Sequence, residues 1–374
     1  MADRSVYLLE TSLPGDLPGI PPRTPGASFP FWGTYTLFDF AFSAARRLVR
    51  DPCCLVCDTR DRPAVTQPAS RWGRNALRIR DAENGLDELR RLAAAERSKS
   101  VVLCSLSWAA CLDPASLARA VEAGGNRRVR VEGCALPFYV LEREELARAL
   151  EQAARADHEL GGSLRGFLGA YLPSVVREHA DVEGRLFFLD NVMQIWDSHH
   201  LLRDNLGAGR LTQYFESLAG AQQPAIEAHI GASGEVKDSL LAAGAEVEGS
   251  VTDSVLFPGV HVRAGADVRQ CVIMSGVRVG SGSSVANALI LPCQQELGGD
   301  TDTVGAGAQI GDTRNVMNTR NDDFPRHIAR GLTLIGMNAC VPPGMEVGTG
   351  CYIGPGSAGV LRGMKKLARG ASVR

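Results

Sequence analysis

Phosphate transfer needs arginine or lysine beside glycine-rich backbone, and magnesium needs several carboxylate oxygens in one place. The chain offers Arg23 in a Pro/Gly-dense stretch, and Arg46, Arg47 and Arg50 at helical spacing near a helix end. It also carries Arg314, Arg320, Arg326 and Arg330 in a polar segment over 311–334. Asp190 closes the apolar run FFLD and supplies a carboxylate at a strand end. Asp113 precedes Pro114 and reads as a helix start. Cys54-x-x-Cys57 has zinc spacing, but no second Cys or His pair completes four ligands, so CCLVC reads as a buried strand. His229 and His261 stand in repeat coils as candidate bases for acyl transfer, although His261 alternates with Val262 and so points outward.

The elements that must position these groups fall into two parts. Over 239–293 apolar residues recur every six positions, as Val262, Val268, Met274, Val279 and Val285. The period returns as Ile335, Val341, Val347 and Ile353. A period of six fits neither a helix nor a flat strand and predicts a parallel β-helix of hexapeptides. Ser239, Ser254, Cys271 and Ala288 open successive segments. VGAGAQI (304–310) keeps the period, the rest of 311–334 reads as an exposed loop leaving the solenoid, and the basic tail is expected to cap the last coil. Before the solenoid, apolar runs at 6–10, 53–58, 100–106, 137–142 and 185–191 alternate with helical patterns from Asp39, at 82–97, 114–123, 143–156, 164–176 and 195–206. Alternation of this kind predicts a parallel α/β sheet of Rossmann-like type. The boundaries expected are an α/β domain over 1–206, a linker over 207–224 and the β-helix over 225–374.

A net charge of −2 argues against a nucleic-acid or anionic-membrane surface. There is no apolar run of 18 residues and no signal-peptide pattern, and the 10 cysteines are mostly scattered. The expectation is reduced thiols and a cytoplasmic setting.

PFWGTYTLFDFAFS (30–43) resembles the PFGGKYRLIDFxLS signature of bacterial glucose-1-phosphate adenylyltransferases, and 254–285 is similar to their β-helix. The resemblance implies a degenerate nucleotidyltransferase-like α/β domain followed by a left-handed parallel β-helix. It also implies a reaction in which glucose-1-phosphate attacks the α-phosphate of ATP, with Mg²⁺ between two aspartates, to give ADP-glucose. Most of the family's phosphate-handling parts are missing here. The Gly-Gly-x-Gly-x-Arg-Leu loop falls on TSLPGDL (11–17), where only Leu17 matches and Asp16 replaces the arginine. The Arg-x-Lys-Pro segment falls on Thr24, Pro25, Gly26 and Ala27. Ser107 stands where the first metal aspartate is expected, while Asp190 keeps the second. The Glu-Lys segment that holds the sugar phosphate has no room before 133–141, and Arg128 and Arg130 are the nearby cations. Losing one good electrostatic contact costs roughly 2.7–4 kcal/mol of transition-state stabilisation.

The resemblance therefore implies a regulatory or assembly subunit of glycogen or glucan synthesis, inactive alone and forming a homo- or hetero-oligomer with a catalytic glucose-1-phosphate adenylyltransferase subunit. No cofactor is expected. Arg320 and Arg326 are candidates for a sugar-phosphate effector. The alternative is an active, divergent enzyme that uses Mg²⁺ and binds phosphates through Arg23 or Arg46.

Overall fold

The computed structural model describes residues 4–13, 17–49, 52–73, 75–155, 162–209, 211, 214, 227–293, 302–314, 316 and 318–374. Asp16, Arg50 and most of the expected linker lie outside them. Leu211 and Tyr214, which are described, pack on the first domain, and the Tyr214 ring stacks on Phe40.

The first domain runs β1 (Arg4–Leu9), α1 (Leu37–Arg46), β2 (Cys53–Asp58), α2 (Arg62–Ser70), β3 (Leu77–Ala82), α3 (Gly85–Ala95), β4 (Ser100–Ser105) and β5 (Ala109–Leu112). It continues with α4 (Pro114–Glu122), β6 (Arg127–Val131), β7 (Cys134–Glu142), α5 (Arg143–Arg155), β8 (Glu178–Asp181), β9 (Gly184–Phe187) and α6 (Val192–Gly207). The main sheet has the order β8-β6-β7-β4-β1-β2-β3. Its centre is apolar on both faces, as Leu8, Leu9, Leu55, Val56, Val102 and Leu103 show, because helices cover both sides.

The sheet is mixed rather than wholly parallel. β7 runs antiparallel to both β4 and β6. The cause is the tight turn at Glu132-Gly133, where both residues take positive φ (49° and 80°) and fold β6 back into β7 as a hairpin. α2 and β3 escaped the sequence reading. Pro63 and Pro68 in α2 interrupt its pattern, and β3 is an edge strand with Arg78 and Arg80 on one face. Asp113 caps α4 by accepting the Ser116 N–H at 2.7 Å, as expected.

The second domain is a parallel β-helix of three sheets. The step between coils matches the repeat: Leu240 pairs with Val255, Val255 with Val272, and Ile273 with Ile290. Each period-six residue is buried. One corner stacks Asp238, Asp253, Gln270 and Asn287, all with φ of 47–51°, the left-handed region that Asp and Asn tolerate best. The tail does more than cap, since Lys366–Leu367 and Ser372–Val373 pair as strands of a further coil.

The segment over 311–334 corrects the expectation of a solvated loop. Asn321 is buried, its amide donating to the carbonyls of Gly350 (3.0 Å) and Gly370 (2.9 Å). Its side-chain oxygen accepts the N–H groups of Asp323 and Phe324. Ile328 is fully buried, and Phe324 meets Tyr352 edge to face. The insertion is therefore clamped along the solenoid.

The domains meet through α6 and through the Pro/Gly-rich segment after β1. Trp32 and His199 pack on Phe257. The Gly19 N–H donates to the Tyr352 hydroxyl at 3.0 Å, and the Met337 N–H donates to the Gly19 carbonyl at 2.9 Å.

Candidate functional site

In a doubly wound sheet, ligands bind beyond the carboxyl ends of the strands, where the strand order reverses. Here that place lies between β1 and its neighbours β4 and β2, whose ends carry Glu10, Ser107 and Asp58. The chain itself fills it. Residues 11–13 pair back with 24–26, the Leu13 N–H donating to Thr24 and the Gly26 N–H to Thr11. Gly26 and Ala27 form a short turn directly over the strand ends. A Cβ on Gly26 would come within 2.7 Å of the Thr11 carbonyl and 3.0 Å of Ser107 Cα, so only glycine fits.

Into that turn projects Glu10, fully enclosed. Its carboxyl oxygens accept the N–H groups of Gly26 (2.7 Å) and Ala27 (3.0 Å). Burial pushes its carboxyl up to about 8, the charges of Asp61 and Asp58 push the same way, and the two N–H groups oppose the rise. Backbone donors of the sort that would cradle a phosphate are thus already occupied by the protein's own carboxyl group. Beside it Thr11 Oγ1, Ser105 Oγ and Ser107 Oγ form a closed hydroxyl cluster, with separations of 2.6, 2.8 and 3.0 Å. The edge is acidic: Asp58 accepts the Gly85 N–H, and Asp61 lies close by. Two of the arginines near it are engaged. Arg60 pairs with Asp58 at 2.8 Å, and Arg165 donates to the Leu13 carbonyl at 3.1 Å.

The sequence-predicted residues do not converge. Gly26 and Ser107 reach the crevice as packing and hydroxyl groups. Arg23 is exposed with φ of 63°, and its charge is felt at Asp61. Arg46 is exposed at the far end of α1, beside Cys53 at the start of β2, so it faces away from the strand ends. Asp190 is exposed just before the α6 cap, and its N–H donates to Gln194. Among the described residues no cluster of three His, Cys, Asp or Glu is placed to hold a metal. A serine at 107 and a lone carboxylate at 190 do not fit Mg²⁺, which needs several hard oxygens. Arg128 donates to the carbonyls of Leu136 and Ala135, and Arg130 pairs with Asp181 at 2.6 Å, so both serve the sheet edge. Cys54 and Cys57 lie three positions apart on one strand, hence on opposite faces, and burial pushes both thiols up. His229, Glu246, His261 and Arg278 form an outward-facing column on successive coils. Arg320 and Arg326 are exposed, Arg314 pairs with Asp312, and Arg330 pairs with Asp197 at 2.6 Å.

The signature hairpin borders a second space, an interdomain cavity of about 520 Å³ between Pro30–Thr36, Arg71 and coil residues Pro258, Ser275 and Cys293. Among the described residues the cation that lines it is Arg71, paired with buried Asp39 at 2.9 Å. Asp39 also closes a capping box with Thr36 and accepts the Trp72 indole N–H at 2.7 Å. The signature aspartate is thus a structural anchor. Sequence reading missed Glu10, Arg165 and Asn321. The lone signal for Glu10 was a carboxylate directly after an apolar β1.

The chain thus joins an α/β sheet, with its crevice at the strand ends, to a parallel hexapeptide helix. The particular likeness is to glucose-1-phosphate adenylyltransferases. The enzyme of that name from Acetivibrio thermocellus is 34% identical over 127 residues, 34% of this chain and 27% of its own length. That from Corynebacterium jeikeium is 37% identical over 109 residues, 29% of this chain and 24% of its own length. That from Desulforamulus reducens is 29% identical over 125 residues, 33% of this chain and 27% of its own length. The matches thus span about a quarter of these relatives. The family model described as GlmU-like, C-terminal hexapeptide matches residues 224–313. Among the described residues no helix is long and apolar enough to cross a membrane.

Proposed function

We propose that this chain is a non-catalytic subunit of a glucose-1-phosphate adenylyltransferase assembly in glycogen or related glucan synthesis. The observation that carries this reading is the occupied crevice: Glu10 holds the backbone donors and the strand ends are acidic. A triphosphate placed there would meet the Asp58 and Asp61 carboxyl groups and find the Gly26 and Ala27 N–H groups already held by Glu10, and each lost electrostatic contact costs roughly 2.7–4 kcal/mol. The β-helix and its clamped insertion then serve assembly and modulation of a catalytic partner. Arg320 and Arg326, exposed on the insertion, are the groups offered to a sugar-phosphate effector. The test is co-expression with a catalytic glucose-1-phosphate adenylyltransferase subunit, followed by size-exclusion chromatography and an ADP-glucose assay across sugar-phosphate concentrations. A mixed oligomer with a shifted effector response is expected. Separate elution with an unchanged response overturns the subunit reading, and turnover by this chain alone favours a divergent active enzyme.

A further inference from the structure

We propose that Cys293 and Cys340 form a reversible intramolecular disulfide that staples neighbouring coils of the β-helix at the wall of the interdomain cavity. The Leu291 N–H donates to Ile335 at 2.9 Å and the Asn338 N–H to Pro292 at 3.1 Å, so the segments carrying the two cysteines lie on neighbouring coils. Continuing the Ile290–Ile335 pairing sets Asn338, two residues before Cys340, opposite Cys293 on a coil about 4.8 Å away. A disulfide accepts Cα separations of about 4.4–6.8 Å. The Cys293 and Cys340 side chains lie close enough to act on one another. A path exists for a small oxidant: Cys293 lines the cavity and Cys340 is half-buried, whereas Cys53, Cys57, Cys104 and Cys271 are enclosed in the core. That proximity and the burial around it raise the Cys340 thiol well above its ordinary value, so oxidation quickens as pH rises and thiolate forms.

The oxidant is a small-molecule disulfide. One protein thiolate attacks it, forming a mixed disulfide and expelling one thiolate. The second protein thiolate attacks the protein-side sulfur, closes the Cys293–Cys340 bond and releases the second thiolate. The protein loses two protons and two electrons, and one small disulfide becomes two thiols. The proposal does not depend on what the crevice binds.

The full chain is incubated with oxidised glutathione or with dithiothreitol, quenched with N-ethylmaleimide and mapped by peptide mass spectrometry. We expect a linked peptide joining Cys293 and Cys340, absent from C293S and C340S, and restored to two alkylated cysteines by dithiothreitol. Mapping the wild-type chain is decisive even where a variant folds poorly. Full alkylation of both residues after oxidation, stable glutathione adducts alone, or pairing with other cysteines overturns the proposal.

Discussion

Glu10 couples the pH response of folding to the closed crevice. Its carboxyl is pushed up to about 8 from an ordinary 4.5, chiefly by burial. Between these pH values the folded chain keeps a proton that the unfolded chain releases. The group's contribution to stability is therefore fully present below pH 4.5 and is lost as pH rises to about 8. At 1.36 kcal/mol per pH unit the loss is about 5 kcal/mol. Urea unfolding from pH 5 to pH 9, compared between wild type and Glu10→Gln, isolates it. Glutamine keeps the shape but cannot ionise. Its amide also turns a donor toward one of the Gly26 and Ala27 N–H groups, which costs about 1–3 kcal/mol at every pH. The variant should be the less stable protein at pH 5, and the gap should close or reverse by pH 8. Parallel pH profiles would refute the reasoning, because they would mean that Glu10 keeps an ordinary carboxyl group in water.

Gly19→Ala should cost about 1–3 kcal/mol, because φ is 82° and the new methyl would sit 3.0 Å from Gly336 Cα; faster tryptic cutting after Arg23 would report the loosened contact. Asn321→Ala should cost about 3 kcal/mol by stranding the carbonyls of Gly350 and Gly370, read as a lower urea midpoint with earlier cleavage at Arg326. Arg330→Ala should cost no more than about 1 kcal/mol despite its contacts with Asp197 and Trp196, since the pair is exposed; a double-mutant cycle with Asp197→Ala checks this.

The solenoid was legible because its inner wall demands an apolar residue at fixed steps. Val262, Val268, Ile335 and Val341 announce the coil without any long-range knowledge, and Asp113 before Pro114 announces a helix start in the same local way. The closed crevice was legible only as a loss, in Asp16 and Ser107 standing where an arginine and an aspartate were expected. What fills it was hidden, because Glu10 finds its donors sixteen residues away, across a fold-back that no local pattern encodes. Asn321 is hidden for the same reason: in sequence it belongs to a polar run, and its partners arrive with coils formed at Gly350 and Gly370. The mixed sheet had a local sign, the Glu132-Gly133 turn, but the alternation of strands and helices outweighed it.

The central claim is that the crevice no longer handles phosphates. Isothermal titration of the purified chain with ATP and Mg²⁺, run beside a coupled pyrophosphate assay with glucose-1-phosphate, tests it most directly. No heat of ATP binding and no pyrophosphate release are expected. Saturable ATP binding with turnover would contradict it, and would require the Gly26 and Ala27 N–H groups to be released from Glu10.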